Sequence, residues 1–181
     1  GASLEAARLV NEGEVDVAFN VSGGWHHAAS DHASGFCIFN DPALVIGYLL
    51  DRGWRVAYVD IDAHHGDGVQ HAFYNSDRVL TISLHETGRS LFPGTGEVSE
   101  VGSGEGRGYS VNLPFAPYTD DEVYLWGFQQ VVSPLLESFK PEVLVAQLGC
   151  DTHYLDPLTR MNLTTQSYAE VVKALGRQAP R

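Results

Sequence analysis

The apolar run at residues 56–59 leads directly into a stretch rich in aspartate and histidine, residues 60–67, and this junction constrains the fold more than any other feature. A short apolar run indicates a buried strand, and the glycines that follow let the chain turn into a helix. In open α/β sheets, ligands bind beyond the carboxyl ends of parallel strands. Asp62 and His64 are two residues apart, so on an extended segment their side chains leave by the same face. They would supply two of the three protein ligands of a catalytic divalent-metal site.

Strand and helix patterns alternate along the rest of the 181 residues. Pro42 suits the first position of a helix, and Asp41 is the expected cap. Apolar runs predict strands at 15–21, 55–60, 79–84, 109–113 and 143–148, and helical patterns mark 4–10, 43–50, 69–74, 120–139 and 165–175. This alternation predicts a three-layer α/β/α architecture with a mostly parallel sheet, in a single domain over residues 1–181.

Composition excludes several classes of protein. The formal net charge of −12 argues against a nucleic-acid-binding surface, which would need a basic patch. Cys37 and Cys150 are far apart and lack the spacing of a disulfide scaffold or zinc ribbon, so a reducing cytoplasm is expected. No apolar run approaches the roughly 18 residues of a membrane helix, and no membrane partner is expected.

A third metal ligand is expected from a different strand end. Asp151 follows the apolar run 143–148, so it would lie beside Asp62 and His64 if the two strands are near neighbours. Together these residues would bind one zinc-like ion and leave room for water and a substrate oxygen. The alternative is that each aspartate merely caps a helix or fills a loop, which is the usual role of aspartate at strand-to-helix turns.

The adjacent pair His26 and His27 predicts acid-base chemistry. On a loop after two glycines, the pair would take a proton from an activated water and give one to a leaving amine. Such histidines need carboxylate partners, and Asp60 and Asp67 are the candidates. The alternative is a pair of surface histidines.

Two aromatic residues, Phe36 and Phe92, lie in glycine-containing loops near strand ends. Rings facing each other across a cleft would form a narrow slot for an aliphatic chain. Each ring taken alone fits a core residue equally well.

These residues together resemble the zinc-dependent histone deacetylase family. The matching segments are SGGWHHA (22–28), ASGFCIFND (33–41), DIDAHHGDGVQ (60–70), FPGTG (92–96) and QLGCD (147–151). Within that family the chain is most similar to the bacterial acetoin-utilisation deacetylases, through TISLHETGR (81–89) and DTHYLDPL (151–158).

The resemblance implies an arginase/deacetylase fold and hydrolysis of acetyl-lysine in a protein, or of a small acylated amine. It implies Asp62, His64 and Asp151 as ligands of zinc, or of ferrous iron in the cell. It also implies His26 with Asp60, and His27 with Asp67, as the proton-transfer pairs. The implied substrate tunnel is lined by Gly35, Phe36 and Phe92. Two structural potassium sites are implied as well, one using Asp60, Asp62, His64, Ser83 and Leu84, and the other Phe73, Ser76, Val79 and Tyr109.

The chain departs from the family pattern at both ends. The family's transition-state tyrosine follows a glycine-rich turn well beyond Asp151, and the sequence stops at Arg181 before such a turn. The first strands are missing too. The resemblance therefore implies a fragment, incomplete at both ends of the fold, that is weak or inactive on its own. The loss of an oxyanion-stabilising donor is worth on the order of 100–1,000-fold in rate.

Three other functions stay open. An acetylpolyamine amidohydrolase would use the same metal chemistry with a different tunnel mouth. An arginase-like binuclear ureohydrolase would need a bridging carboxylate two residues after His64, where this chain has Gly66. A non-catalytic acyl-lysine-binding module would not need the complete set of metal ligands and paired histidines.

Overall fold

A computed structural model describes residues 1–180 of the chain. Its elements, in chain order, are α1 (Ala2–Asn11), α2 (Asp41–Leu50), β1 (Val56–Asp60), α3 (Asp67–Phe73), β2 (Val79–Glu86), a short 3₁₀ turn (Gly104–Gly106), β3 (Ser110–Phe115), α4 (Asp121–Gly127), a π-helical turn (Phe128–Val132), α5 (Ser133–Phe139), β4 (Val143–Gln147) and α6 (Thr165–Gln178).

The four strands form one parallel sheet in the order β3-β2-β1-β4. Every residue of β1 and β2 is buried, as expected for central strands covered on both faces. Asp60, the last residue of β1, pairs with Ser83 of β2 on one side and with Gln147 of β4 on the other. The carboxyl ends of β1 and β4 therefore stop level with each other, and the segments that follow them begin side by side.

Helices cover both faces of this sheet, which confirms the predicted three-layer α/β/α class. On one face, α2 and α3 pack their apolar residues against Val56, Tyr58 and Val79. On the other face, the helices from α4 to α6 pack against the alternate strand residues, Val59 and Ile82 among them. None of the helices formed by residues 1–180 has the length and hydrophobicity that a bilayer-spanning segment requires.

The predicted strand at residues 15–21 is wrong. This segment is extended, but no ladder of hydrogen bonds joins it to a strand within the described residues. It lines a cavity of about 530 Å³ together with residues of β4, so a gap separates the two segments. Val17, Phe19 and Val21 are consequently exposed. An apolar run identifies a strand only when a neighbouring strand is in reach.

The predicted cap of α2 is also wrong, by one residue. The side chain of Asn40 accepts the hydrogen bond from the Ala43 N–H at 3.0 Å and is the cap. The carboxylate of Asp41 turns back instead and accepts hydrogen bonds from the backbone N–H groups of Gly24 and Trp25. Asp41 therefore holds the loop that leads into the paired histidines.

The helix predicted at 120–139 is continuous but contains an irregular turn. Between α4 and α5 the backbone forms a π-helical turn, which ends one residue before Ser133 and two before Pro134. Proline has no N–H to donate to the carbonyl four residues earlier, so a regular α-helix is disfavoured at this point. The helix is therefore locally widened just before Pro134.

Candidate active site

Three potential metal ligands come together at the carboxyl edge of the sheet. Asp62 and His64 follow β1, and Asp151 follows β4, which is the neighbour of β1. One ligand atom from each lies within 4.8 Å of the others. His64 Nδ1 is 2.7 Å from Asp151 Oδ2 and 3.0 Å from Asp62 Oδ1. Four ligand atoms bonded to zinc at roughly 2.0 Å in a tetrahedron would lie about 3.3 Å from one another. The two observed separations are close to that distance.

The electrostatics of this cluster suit a divalent cation. Burial alone would lower the pKa of His64, but its hydrogen bonds to the two carboxylates raise that pKa to about 10. The cluster thus holds a positive charge strongly at the point where the three side chains converge. Two carboxylates and a neutral imidazole carry a charge of −2, which one divalent ion would balance. The donor set therefore fits zinc or ferrous iron.

The paired histidines lie next to this cluster. His26 Nε2 and His27 Nε2 are 3.0 Å apart, and His26 Nε2 is 3.9 Å from Asp62 Oδ1. Each imidazole is fixed through its other nitrogen. His26 Nδ1 is 2.7 Å from Asp60 Oδ2, and His27 Nδ1 is 2.7 Å from Asp67 Oδ1. This leaves the two Nε2 atoms to face each other and the cleft.

The pKa of one group is shifted in each histidine–carboxylate pair, His26 in one and Asp67 in the other. Burial would lower the pKa of His26, but the charge of Asp60 and its hydrogen bond raise that pKa to about 9. Burial would raise the pKa of Asp67, but the hydrogen bond with His27 brings that pKa below its usual value. Asp60 is completely buried and also accepts a hydrogen bond from the Tyr58 hydroxyl at 2.6 Å.

Backbone geometry makes room for these side chains. A Cβ on Gly35 would lie 2.4 Å from the His27 ring, and a Cβ on Gly66 would lie 2.3 Å from Asp60 Oδ2. Gly35 also has φ of +50°, a region that other residues enter at a cost. The neighbouring Asn40 donates to the backbone oxygens of His26 and Ala28, both at 3.0 Å. The histidine loop is therefore held by several bonds, although residues 1–25 form no strand.

A cleft with a cavity volume of about 440 Å³ opens above the cluster. It contains the predicted slot residues Gly35, Phe36 and Phe92. The Phe92 ring packs edge-on against His27 with ring centroids 5.0 Å apart. Phe36 is 96% exposed and stands at the mouth of the cleft. Both residues line the same cleft, but only Phe92 packs closely against its floor.

Three residues around the site were not assigned a role from the sequence. Leu91 and Leu158 add apolar walls to the cleft. Gln147, the last residue of β4, donates to Asp62 Oδ2 at 3.0 Å and to the Gly24 carbonyl at 3.1 Å. A polar residue ending an apolar strand is the signal that could have identified Gln147.

The implied potassium ligands fall into two groups at opposite ends of the sheet. The register of β1 and β2 sets Asp60 beside Ser83, and Leu84 follows in β2. The second set lies at the opposite, amino-terminal side of the sheet. Phe73 ends α3, Ser76 follows it, Val79 begins β2, and Tyr109 directly precedes β3.

Comparison with known proteins agrees with this geometry. The family model described as "Histone deacetylase domain" matches residues 1–181. This chain belongs to the histone deacetylase domain family. Among its relatives, acetoin utilization protein AcuC of Bacillus subtilis is 47% identical over 172 residues, which cover 94% of this chain. Histone deacetylase B of Dictyostelium discoideum is 48% identical over 173 residues, which cover 96% of it.

The fold is also that of a solved family member. The crystal structure of an HDAC homolog from Aquifex aeolicus matches 99% of this chain with a TM-score of 0.94 at 36% identity. A structure of an HDAC homolog complexed with SAHA matches equally well. The resemblance inferred from the sequence motifs and the predicted fold are therefore confirmed. The chain spans 44% of the length of the Bacillus relative, 41% of the Dictyostelium relative and 48% of the Aquifex chain.

Proposed function

We propose that this chain supplies the metal centre and the proton-transfer pair of a deacetylase acting on acetyl-lysine or a related acylated amine. The convergence of Asp62, His64 and Asp151 beside the paired histidines carries this proposal. Residues 1–181 would form part of a single catalytic domain. The relatives named for histone deacetylation and acetoin utilisation, each more than twice as long as this chain, support that reading.

Zinc, or ferrous iron in its place, would be held by Asp62, His64 and Asp151. When bound, such an ion polarises an amide carbonyl and makes water a better nucleophile. The remaining chemistry falls to side chains of this protein. His64 must be neutral to act as a ligand, so metal and proton compete for its Nδ1 atom.

Proton transfer is assigned to the histidine pair. His27 Nε2 would accept a proton from water as the oxygen attacks the amide carbon. The carbon–nitrogen bond then breaks, and the departing amine nitrogen takes a proton from the same pair, leaving a carboxylate and a free amine. His26, with its pKa raised to about 9, would keep a positive charge next to the developing negative charge. Asp60 and Asp67 fix which nitrogen of each ring faces the cleft.

The cleft supports a linear aliphatic substrate arm. Phe92, Phe36 and Leu158 give it apolar walls, and the histidines close its floor. The methylene groups of a lysine side chain would lie between these walls with the acyl group at the metal. Monovalent cations at the sets containing Ser83 and Tyr109 would, in this proposal, be structural and lie apart from the walls.

The metal content of the purified chain tests the proposal first. Elemental mass spectrometry should find one equivalent of zinc or iron, and Asp151→Asn should lose it. Asp77→Asn, at an exposed position with the same change of charge, should keep it. Two equivalents of manganese would instead favour the binuclear ureohydrolase. A chain that binds no metal while folding normally would overturn the proposal.

Substrate assays separate the remaining alternatives. A polypeptide spanning the full length of the relatives should release acetate from an acetyl-lysine peptide, and His27→Ala should abolish the release. Preferential hydrolysis of acetylated polyamines would assign the chain to the amidohydrolase class. Binding of acetyl-lysine without turnover, in metal-loaded protein, would favour the non-catalytic module.

A further inference from the structure

One buried carboxyl group connects the two loops that form the apolar walls of the cleft. Glu86 is the last residue of β2, and its side chain is completely buried. Its Oε1 atom accepts a hydrogen bond from the Ser90 hydroxyl at 2.6 Å. Its Oε2 atom accepts one from the Arg160 backbone N–H at 2.8 Å. Ser90 and Arg160 are 70 positions apart in the chain and belong to different loops.

Each of these contacts lies close to a wall residue. Leu91 and Phe92 directly follow Ser90, and Leu158 stands two positions before Arg160. A second link reinforces the first, because the Arg160 guanidinium donates to the Ser90 carbonyl at 3.4 Å. Both loops are thus attached to one carboxylate at the end of β2, and each reaches the cleft within two residues of its bond to that carboxylate.

We propose that Glu86 is a positioning residue that holds the two walls of the cleft at a fixed separation and so sets its fit to an aliphatic chain. The nature of the occupant rests on the proposed function, whereas the connection between the loops rests on the observed contacts of Glu86 and on the bond between Arg160 and Ser90. Within the described residues, no hydrogen bond or ion pair joins the Glu86 side chain to the three potential metal ligands or to the paired histidines. Its loss should therefore affect the walls and leave the metal centre in place.

The chemistry of the contacts distinguishes two substitutions. Glu86→Ala removes both acceptors, so the Ser90 hydroxyl and the Arg160 N–H each lose their bond to this carboxylate. Glu86→Gln can keep both contacts, because its oxygen accepts from Arg160 while its amide donates to the Ser90 hydroxyl, which can turn to accept. Ser90→Ala removes the bond from Glu86 to the first loop and keeps the bond to Arg160 in the second loop. Ser103→Ala is the matched control, since Ser103 lies in the same long segment and bonds Asn75, away from the cleft.

Hydrogen exchange tests the connection without metal or substrate. In Glu86→Ala, amides of residues 87–96 and 152–163 should exchange faster together, whereas Glu86→Gln should match the parent chain. Ser90→Ala should accelerate exchange only in the first segment. If Glu86→Ala fails to fold, Ser90→Ala decides the question. Exchange in Ser90→Ala that equals exchange in Ser103→Ala would overturn the proposal.

A pair of hydroxamates then tests the consequence for specificity on zinc-loaded protein. Acetohydroxamate reaches only the metal, while a hydroxamate on a long linear aliphatic chain also contacts the walls. Ser90→Ala should bind the long compound about tenfold more weakly, the range expected for one lost hydrogen bond, and should bind acetohydroxamate unchanged. Equal losses for both compounds would show a merely structural role. If the parent chain binds neither compound, the proposed function fails, and the exchange experiment still decides the role of Glu86.

Discussion

Gly149 is the position at which the smallest change should have the largest effect on metal binding. A Cβ added there would lie 2.2 Å from Asp62 Oδ2 and 2.7 Å from Asp62 Cγ. Ordinary contact begins at 3.4 Å, so the carboxylate would have to retreat by about 1.2 Å. Metal ligands must hold their distances to within about 0.2 Å. Gly149→Ala should therefore displace one of three ligands and weaken zinc binding by at least 100-fold, above the 10–100-fold range seen for outer contacts.

Competition with a chromophoric chelator measures that affinity. Gly47→Ala is the control, since a methyl group there meets nothing within 4 Å and lies in a helix, where alanine is favoured over glycine. Circular dichroism should show that both variants keep the parent fold. Zinc affinity of Gly149→Ala within threefold of the parent value would refute the reasoning, because Asp62 would then not be held where the clash requires it.

Three further predictions follow from neighbouring contacts. A Cβ on Gly66 would lie 2.3 Å from Asp60 Oδ2, so Gly66→Ala should displace Asp60. Acetate release should fall at least tenfold, while the metal content measured by mass spectrometry should stay at one equivalent. Tyr58→Phe removes a buried hydrogen bond to Asp60. The free energy of unfolding measured with urea should therefore fall by about 1.5–3 kcal/mol. Burial lowers the pKa of His85 to about 3 from 6.5. The unfolded chain therefore binds more protons between these values, and this contribution to stability is lost as pH falls through that window. Between pH 7.5 and pH 5.5, the free energy of unfolding of the parent chain should fall. This decrease should be about 1.4 kcal/mol larger in the parent chain than in His85→Gln.

The convergence of Asp62, His64 and Asp151 could be predicted from the sequence because it follows from local rules. Asp62 and His64 share a face through two-residue spacing, and Asp151 needs only the rule that parallel strands end at one edge. The partners of these residues could not be found in the same way. Which atoms Gln147 reaches depends on the register of β4 against β1 and on the direction of its side chain, and spacing along the chain gives neither. The structure supplies the register through the pairing of Asp60 with Gln147.

The errors in the prediction have a related cause. Residues 15–21 have the composition of a strand, but a strand exists only through hydrogen bonds to a neighbour. Asp41 and Asn40 are both good caps in isolation. The competition is decided at a distance, because Gly24 and Trp25 present N–H groups that Asp41 accepts. Local propensity therefore placed the helix correctly and misassigned the residue that begins it.

Gln147 shows that the metal centre and the histidine pair are not independent. Its amide nitrogen donates both to Asp62 and to the Gly24 carbonyl, and its oxygen accepts from the Gly149 N–H at 2.7 Å. Both amide N–H groups of this buried side chain are used, and its three bonds join the loop before His26 to Asp62 and to the turn before Asp151. An ionised glutamate at position 147 would place an acceptor oxygen where the amide nitrogen now donates to the Gly24 carbonyl and to Asp62, so both of these bonds would be lost. A neutral donor therefore links Asp62 to the loop that carries His26, whose Nε2 lies 3.9 Å from Asp62 Oδ1, and an ionised carboxylate could not make both of these bonds.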